Sequence, residues 1–263
     1  MPEPLYTLDR MRSPAYQLRY GWTGWFAIPA SPPDWAQALR ACAAAWEADG
    51  IRVLEHRTHE DCVQLTASTK PSLSPVFLAG RLKGRLQHVL RQGGQAMDFS
   101  RRIAVRSIGD NHTREVEKYV LGQCGKEPLA DPRFREHLAQ FTLRNPAVRL
   151  DQPTATNSGR YWYNLHLVLV VRQRYRMVDD ARLGRSRDLC LAIAGKKGHG
   201  VSALSIMPDH LHLAIRGNIE HSPQEIALAY LNNLAYGLGQ CMIWEDCYYA
   251  GTFGEYDMGA VRP

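Results

Sequence analysis

Apolar and polar positions change their spacing repeatedly along the chain, and each change marks an element. Gln17 to Ile28 is rich in Tyr, Trp and Phe and closes at Pro29, which predicts a strand. Ser31-Pro32-Pro33-Asp34 then opens a helix from Trp35 to Asp49, with Gly50 as the residue beyond its end. Ile51 to His56 and Cys62 to Ala67 predict a hairpin around a polar turn, and Ser74-Pro75 starts a helix running to about Gln92. Ile103 to Ile108 follows as a strand and Gly109-Asp110-Asn111 as a turn. Thr113 to Gln123 predicts a helix with Thr113 as its N-cap.

The order then recurs. Tyr163 to Tyr175 predicts a strand, and Asp179 to Lys196 a helix stopped by Gly198-His199-Gly200. Val201 to Met207 and His210 to Ile215 predict a hairpin around Pro208-Asp209; Ser222-Pro223 opens a helix to about Gln240, and Tyr248 to Phe253 is a strand. Self-comparison aligns the two series. Ser74-Pro75 matches Ser222-Pro223, and without a gap Leu86 falls on Leu234 and Gln92 on Gln240. Asp61-Cys62-Val63-Gln64-Leu65 matches Asp209-His210-Leu211-His212-Leu213, and Ser107-Ile108-Gly109-Asp110 matches Thr252-Phe253-Gly254-Glu255. Three matches in one order predict a degenerate duplication. The expected layout is α+β: a first copy over 15–123, a linker over 124–160 and a second copy over 161–263.

Within the linker, Pro132 to Arg144 predicts a short helix, and Asn145 to Arg160 is rich in Pro, Thr, Asn, Ser and Gly. Fully extended it reaches on the order of 120 Å, so either copy's end can reach the other copy's sheet. The copies differ in content. The second has His210 and His212 where the first has Cys62 and Gln64. The first continues past its last strand through Glu115 to Gln123, whereas Pro263 aligns with Lys118, so no counterpart of Tyr119 is expected.

Composition narrows the classes. Of 263 residues, 45% are hydrophobic and 22% charged, which supports a real core and excludes a disordered tail protein. The most apolar run, Leu165 to Val171, is too short to span a membrane and leads into Arg172, Arg174 and Arg176. No apolar signal segment follows Met1-Pro2-Glu3-Pro4, and the six cysteines form no CxxC pair, so a cytoplasmic protein with reduced thiols is expected. Lys and Arg number 32 against 26 Asp and Glu, a net +6 that is compatible with a polyanionic partner without establishing one.

Two residue pairs carry candidate chemistry. His210 and His212 alternate on a strand, so both imidazoles leave one face, as two ligands of a divalent metal or as a packed pair. Tyr119 and Gln123 share a helix face; a tyrosine can attack phosphorus and an amide oxygen can ligate a hard cation, although each also fits ordinary helix packing. Candidate DNA contacts are Arg81, Lys83 and Arg85 on the second helix, whose counterpart Ala229 to Gly239 has no cation, and Arg172, Arg174 and Arg176, alternating on a strand end. Basic residues spread in this way also fit a solvated surface. Trp22, Trp25, Tyr161 and Trp162 are candidate base-stacking platforms as well as candidate core.

Met207-Pro208-Asp209-His210-Leu211-His212-Leu213 resembles the His-hydrophobe-His (HUH) signature of the single-tyrosine transposases, which move small insertion sequences as single-stranded DNA. Tyr119-Val120-Leu121-Gly122-Gln123 resembles that family's tyrosine helix, and Tyr163 to Val178 is similar to its first strand. The resemblance implies ferredoxin-like, HUH-type domains with antiparallel sheets. It implies Tyr119 as nucleophile and His210, His212 and Gln123 as ligands of Mg²⁺ or Mn²⁺, with a 5′-phosphotyrosine intermediate. In dimeric members the tyrosine helix of one subunit serves the HUH pair of the other. Here the tyrosine and the HUH pair lie in different copies, so a single-chain pseudo-dimer is expected, with one composite site and a degenerate one at Cys62 and Gln64. Hairpin-bearing single-stranded DNA is the implied partner and nucleoid association is expected, with further pairing with a second chain open. Two rivals stand beside this reading: a non-catalytic or host-recruited hairpin-binding relic, and a histidine-triad nucleotide hydrolase, which lacks its third histidine because position 214 is Ala.

Overall fold

In a computed structural model, residues 3–12, 14–27, 33–94, 97–126, 132–239 and 242–254 are described. The first half contains β1 (Ala15–Gln17), β2 (Arg19–Phe26), α1 (Trp35–Ala48), β3 (Ile51–Thr58), β4 (Cys62–Thr69), α2 (Pro75–Gln92), β5 (Phe99–Ile108) and α3 (Thr113–Leu121). The middle contributes α4 (Gln123–Lys126), α5 (Pro132–Ala139), β6 (Thr142–Arg144) and β7 (Thr154–Ala155). The second half contains β8 (Gly159–Trp162), β9 (Asn164–Val171), α6 (Asp180–Lys197), β10 (Gly200–Ile206), β11 (His210–Arg216), α7 (Pro223–Gly237) and β12 (Trp244–Thr252). The fold is α+β, and no helix among the described residues is long and apolar enough to cross a membrane.

The matching Ser-Pro pairs do the same work in both halves. Ser74 and Ser222 accept a hydrogen bond from the N–H of Phe77 and Glu225 respectively, each at 3.2 Å, with proline in the first turn where no N–H is needed. Each helix then buries one stripe: Leu78, Leu82, Leu86 and Leu90 on α2, and Ile226, Tyr230, Leu231 and Leu234 on α7. α1 packs on α2 and α6 on α7. On β11, Leu211, Leu213 and Ile215 point into this core, so His210, His212 and Ala214 occupy the opposite face.

Two six-stranded sheets result, in the orders β1-β12-β9-β11-β10-β6 and β3-β4-β2-β5-β8-β7. Each contains one parallel strand from the other half. β1 runs beside β12, with Gln17 opposite Gly251, and β8 runs beside β5, with Trp162 opposite Arg106. The exchange is reciprocal down to single hydrogen bonds. Thr252 Oγ1 accepts from Arg19 N at 2.8 Å and donates to Ile108 O at 2.7 Å. Its counterpart Ser107 Oγ accepts from Asn164 N at 2.9 Å and donates to Phe253 O at 2.9 Å. The glycines that follow are there for space: a Cβ on Gly109 would lie 2.2 Å from Thr252 O, and one on Gly254 would lie 2.5 Å from Ser107 O.

Several expectations need correction. The segment 124–160 carries strands as well as α5: β6 closes the edge of the sheet that contains β10, and β7 with the start of β8 joins the sheet that contains β5. The strand expected over Gln17 to Ile28 breaks at Leu18 into β1 and β2, which enter different sheets. The strand expected from Tyr163 to Tyr175 begins as β9 and stops at Val171, so Arg172 and Arg174 lie in a single 3₁₀ turn and do not alternate on a strand. His112, not Thr113, is the N-cap of α3, and the Glu115 carboxylate accepts from the His112 N–H at 2.8 Å. Cys42, Cys62, Cys124, Cys190 and Cys247 are free thiols. Pro29, Ser31, Pro32, Gln240, Cys241 and the segment from Glu255 to Pro263 lie outside the described residues.

Candidate active site

α3 leaves the first half after Gly109 and lies on β10 and β11 of the second. The reason is local. Val116 and Val120, four residues apart, form its apolar stripe, and they bury against Ala203, Ala214, Leu150 and Phe253. Ala203 and Ala214 are directly opposed across the β10–β11 pair, which leaves a shallow floor for the helix. Burying two valines of this kind contributes roughly 1.5–3 kcal/mol each.

This docking brings Tyr119 to the HUH strand. Its ring, 44% exposed, meets His212 edge-on at 5.6 Å between centroids, and His166 at 5.7 Å. Lys126 Nζ stands 3.5 Å from the centroid of the same ring, and so places a positive charge beside the tyrosine. Gln123 is 6% exposed, and its Nε2 donates to Tyr119 O at 2.7 Å, which leaves its carbonyl oxygen as the acceptor end of the amide. The next residue, Cys124, has its Sγ 3.4 Å from Thr142 Oγ1, itself 3.1 Å from Ser205 Oγ; Ser205 is the strand partner of His212. The chain at Cys124 thus reaches the row of the sheet that carries His212, one residue after Gln123.

His210 and His212 lie 5.0 Å apart between ring centroids. Each has its Nδ1 engaged from behind. His210 Nδ1 is 2.6 Å from Asp209 Oδ1, and Arg174 Nη1 donates to the other oxygen of that carboxylate at 3.1 Å. His212 Nδ1 is 2.9 Å from His166 Nε2. Burial, with help from the neighbouring His166 and His210, depresses the His212 pKa to about 2, and burial alone takes His166 to about 4. Both rings are therefore neutral at pH 7. If His212 Nδ1–H donates to His166, the His212 Nε2 lone pair is available to a metal, and the Asp209 bond does the same for His210. Among the described residues no group of three or more His, Cys, Asp or Glu is arranged to hold a metal. A cation at this pair would need a ligand of another kind, and an amide oxygen is chemically suited to that part.

His166 and Lys126 were not singled out from the sequence. His166 sits at an outward position of the Leu165–Leu169 alternation and directly opposes Ala214. The imidazole absent from position 214 is in effect supplied by the neighbouring strand. Its signal was a histidine in an otherwise aliphatic strand; Lys126 had only its helical spacing from Gln123.

The remaining candidates are dispersed. Arg85 is paired with Asp49 at 2.6 Å, Arg81 lies 3.7 Å from the same carboxylate, and Lys83 Nζ donates to Ser100 O at 2.7 Å, so α2's cations are held by first-half partners. Arg174 stands beside the histidines through Asp209, Arg172 lies in the same turn, and Arg176 follows it. Cys62 and Gln64 are buried on β4; neither amide atom of Gln64 has a hydrogen-bond partner, and burial first, then Asp61, pushes the Cys62 thiol up to about 12. Trp22 and Tyr161 are core, Trp22 packing edge-on against Phe99, whereas Trp25 and Trp162 are half-buried.

Residues 160–262 match the family model for IS200-like transposases, so the half that carries the HUH strand is similar to that family. A crystal structure described as a candidate transposase from Deinococcus radiodurans R1 is also similar, at 20% identity and a TM-score of 0.36, covering 39% of this chain and 88% of that one. No curated protein matches the chain.

Proposed function

We propose that this chain is a metal-dependent single-stranded DNA endonuclease and strand transferase of the HUH transposase kind. It acts as a single-chain pseudo-dimer with one composite site. The family match over 160–262 supports a transposase function. The observation that carries the finer reading is the contact of the Tyr119 ring with His212, two residues from opposite halves of the chain.

In this reading a divalent cation such as Mg²⁺ or Mn²⁺, when bound, supplies positive charge to the scissile phosphate. His210 and His212 offer it their Nε2 lone pairs, oriented by Asp209 and His166, and Gln123 offers an amide oxygen. Tyr119 Oη attacks the phosphorus and gives up its proton as the P–O3′ bond breaks. The leaving strand takes up a proton as a free 3′-OH, and the other keeps its 5′-phosphate on Tyr119. Lys126 adds a fixed positive charge beside the ring. Transfer runs in reverse, with a 3′-OH attacking the phosphotyrosine.

The test is incubation with labelled hairpin-bearing single-stranded oligonucleotides and Mn²⁺, read as a covalent adduct on a denaturing gel. Wild type should form it, and Tyr119→Phe and His210→Ala should not. An adduct that persists in Tyr119→Phe rejects the assignment of the nucleophile. No adduct on any substrate leaves the hairpin-binding relic as the better reading.

A further inference from the structure

Where the halves meet, a cavity of about 430 Å³ opens between β5, the start of α3, the 144–151 segment and Trp162. Four arginines line it (Arg106, Arg114, Arg144 and Arg149) against two carboxylates, Glu117 and Asp151, the second of which is tied to Arg149 at 2.7 Å. A second cavity of about 440 Å³ adjoins it through Arg106 and Trp162; it adds Arg101, Arg102, Arg160 and Trp25, and no carboxylate. Between the two, the Arg106 guanidinium lies 3.7 Å over the Trp162 ring, whose Nε1 donates to Asp151 O at 2.9 Å and so fixes the ring's tilt. No other ring or cation stacks on Trp162 among the described residues. Arg114 and Arg144 have exposed side chains, and Arg114 shares a face of α3 with Lys118, the residue before Tyr119.

We propose that this groove at the seam binds unpaired DNA outside the reacting site, with a base stacked on Trp162 and phosphates against Arg102, Arg114 and Arg144. A positively charged track with an aromatic platform is the arrangement that holds single strands without reading their sequence. The track continues along α3 through Arg114 and Lys118, on a different face of that helix from Tyr119, and would hold DNA outside the scissile phosphate. The inference rests on the reading of the chain as an enzyme of single-stranded DNA. It places binding away from α2, whose cations already have partners within the first half.

The experiment measures binding of the full chain, in EDTA, to a fluorescent oligothymidylate of about 20 nucleotides and to an abasic oligomer of the same length. Trp162→Ala should weaken oligothymidylate binding about tenfold and remove its advantage over the abasic strand, while Trp162→Phe keeps most of both. Arg144→Glu, at an exposed edge-strand position, should weaken both probes and make the slope of log K against log salt shallower by about 0.7 or more. Arg81→Glu should leave binding at the wild-type level. Wild-type binding by folded Trp162→Ala and Arg144→Glu overturns the groove, even where the Tyr119 adduct still forms. If wild type binds neither probe and forms no adduct, the groove and the proposed function fall together.

Discussion

His166 stands directly behind His212, with its Nε2 2.9 Å from His212 Nδ1 and the two rings stacked 15° from parallel. The pair spans β9 and β11, so the rigid sheet sets the direction in which His212 Nε2 points. His166→Ala should lower Mn²⁺ affinity by about 10- to 100-fold, and His166→Gln, which can still accept a hydrogen bond, should retain part of it. Titrating Mn²⁺ and following free ion by electron paramagnetic resonance measures this without any DNA. Unchanged affinity in His166→Ala would remove His166 from the site.

The same burial makes stability depend on pH. Burial holds His199 as well as His166 neutral down to about pH 4, His199 being further depressed by His221 and Lys197, and His212 stays neutral to about 2. An unfolded imidazole takes up its proton at about pH 6.5. Between pH 6.5 and 4 the unfolded state therefore binds more protons, and stability falls as pH is lowered. At pH 5 each such ring costs roughly 2 kcal/mol relative to neutral pH. Urea midpoints should drop between pH 7 and 5, and His199→Gln should flatten that dependence. A midpoint constant across this range contradicts the assigned protonation.

Much of this architecture was legible because local signals agreed with the fold. The Ser-Pro caps, the Gly50 and Gly198 stops and the period-2 alternation around His210 each predict the element observed. The match of Ser107-Ile108-Gly109 with Thr252-Phe253-Gly254 proved to mark the very contact where the halves cross. Partner choice was not legible. Of β1 only Gln17 falls within an expected strand, and β8 lies across the end of the expected linker, just before the strand expected from Tyr163; nothing local says that each pairs with the other half's sheet. His166 was missed for the same reason, since its role depends on a register between β9 and β11 that only the folded sheet sets.

The crossing itself can be tested at its glycines. Gly109→Ala and Gly254→Ala each push a methyl group into a backbone carbonyl of the opposite half, at 2.2 and 2.5 Å. Neither carbonyl can rotate away as a side chain would, so each substitution should cost about 1–3 kcal/mol. Thermal unfolding reads this as a lowered Tm in both variants. Gly94→Ala offers a poor comparison because its φ of 74° strains any side chain. Gly80→Ala, on α2 with open space around its Cβ position, should instead hold or raise Tm.

The docking of α3 should separate stability from chemistry. Val116 and Val120 hold the helix on Ala203 and Ala214 yet lie on its buried stripe, away from the exposed Tyr119. Replacing both by Ala removes apolar area from that contact and should loosen the helix, since the stripe that holds it contains few other residues. The loss of four buried methyl groups is about 3 kcal/mol, and it falls on the small cluster under α3, which is separate from the main core. Adduct formation should then fall well below wild type while His210 and His212 keep their Mn²⁺ affinity to within a few fold. The gap between the two readouts is the prediction. Equal losses would mean that α3 supports the histidine sheet as a whole, and full adduct yield would mean that Tyr119 reaches its substrate without this seat.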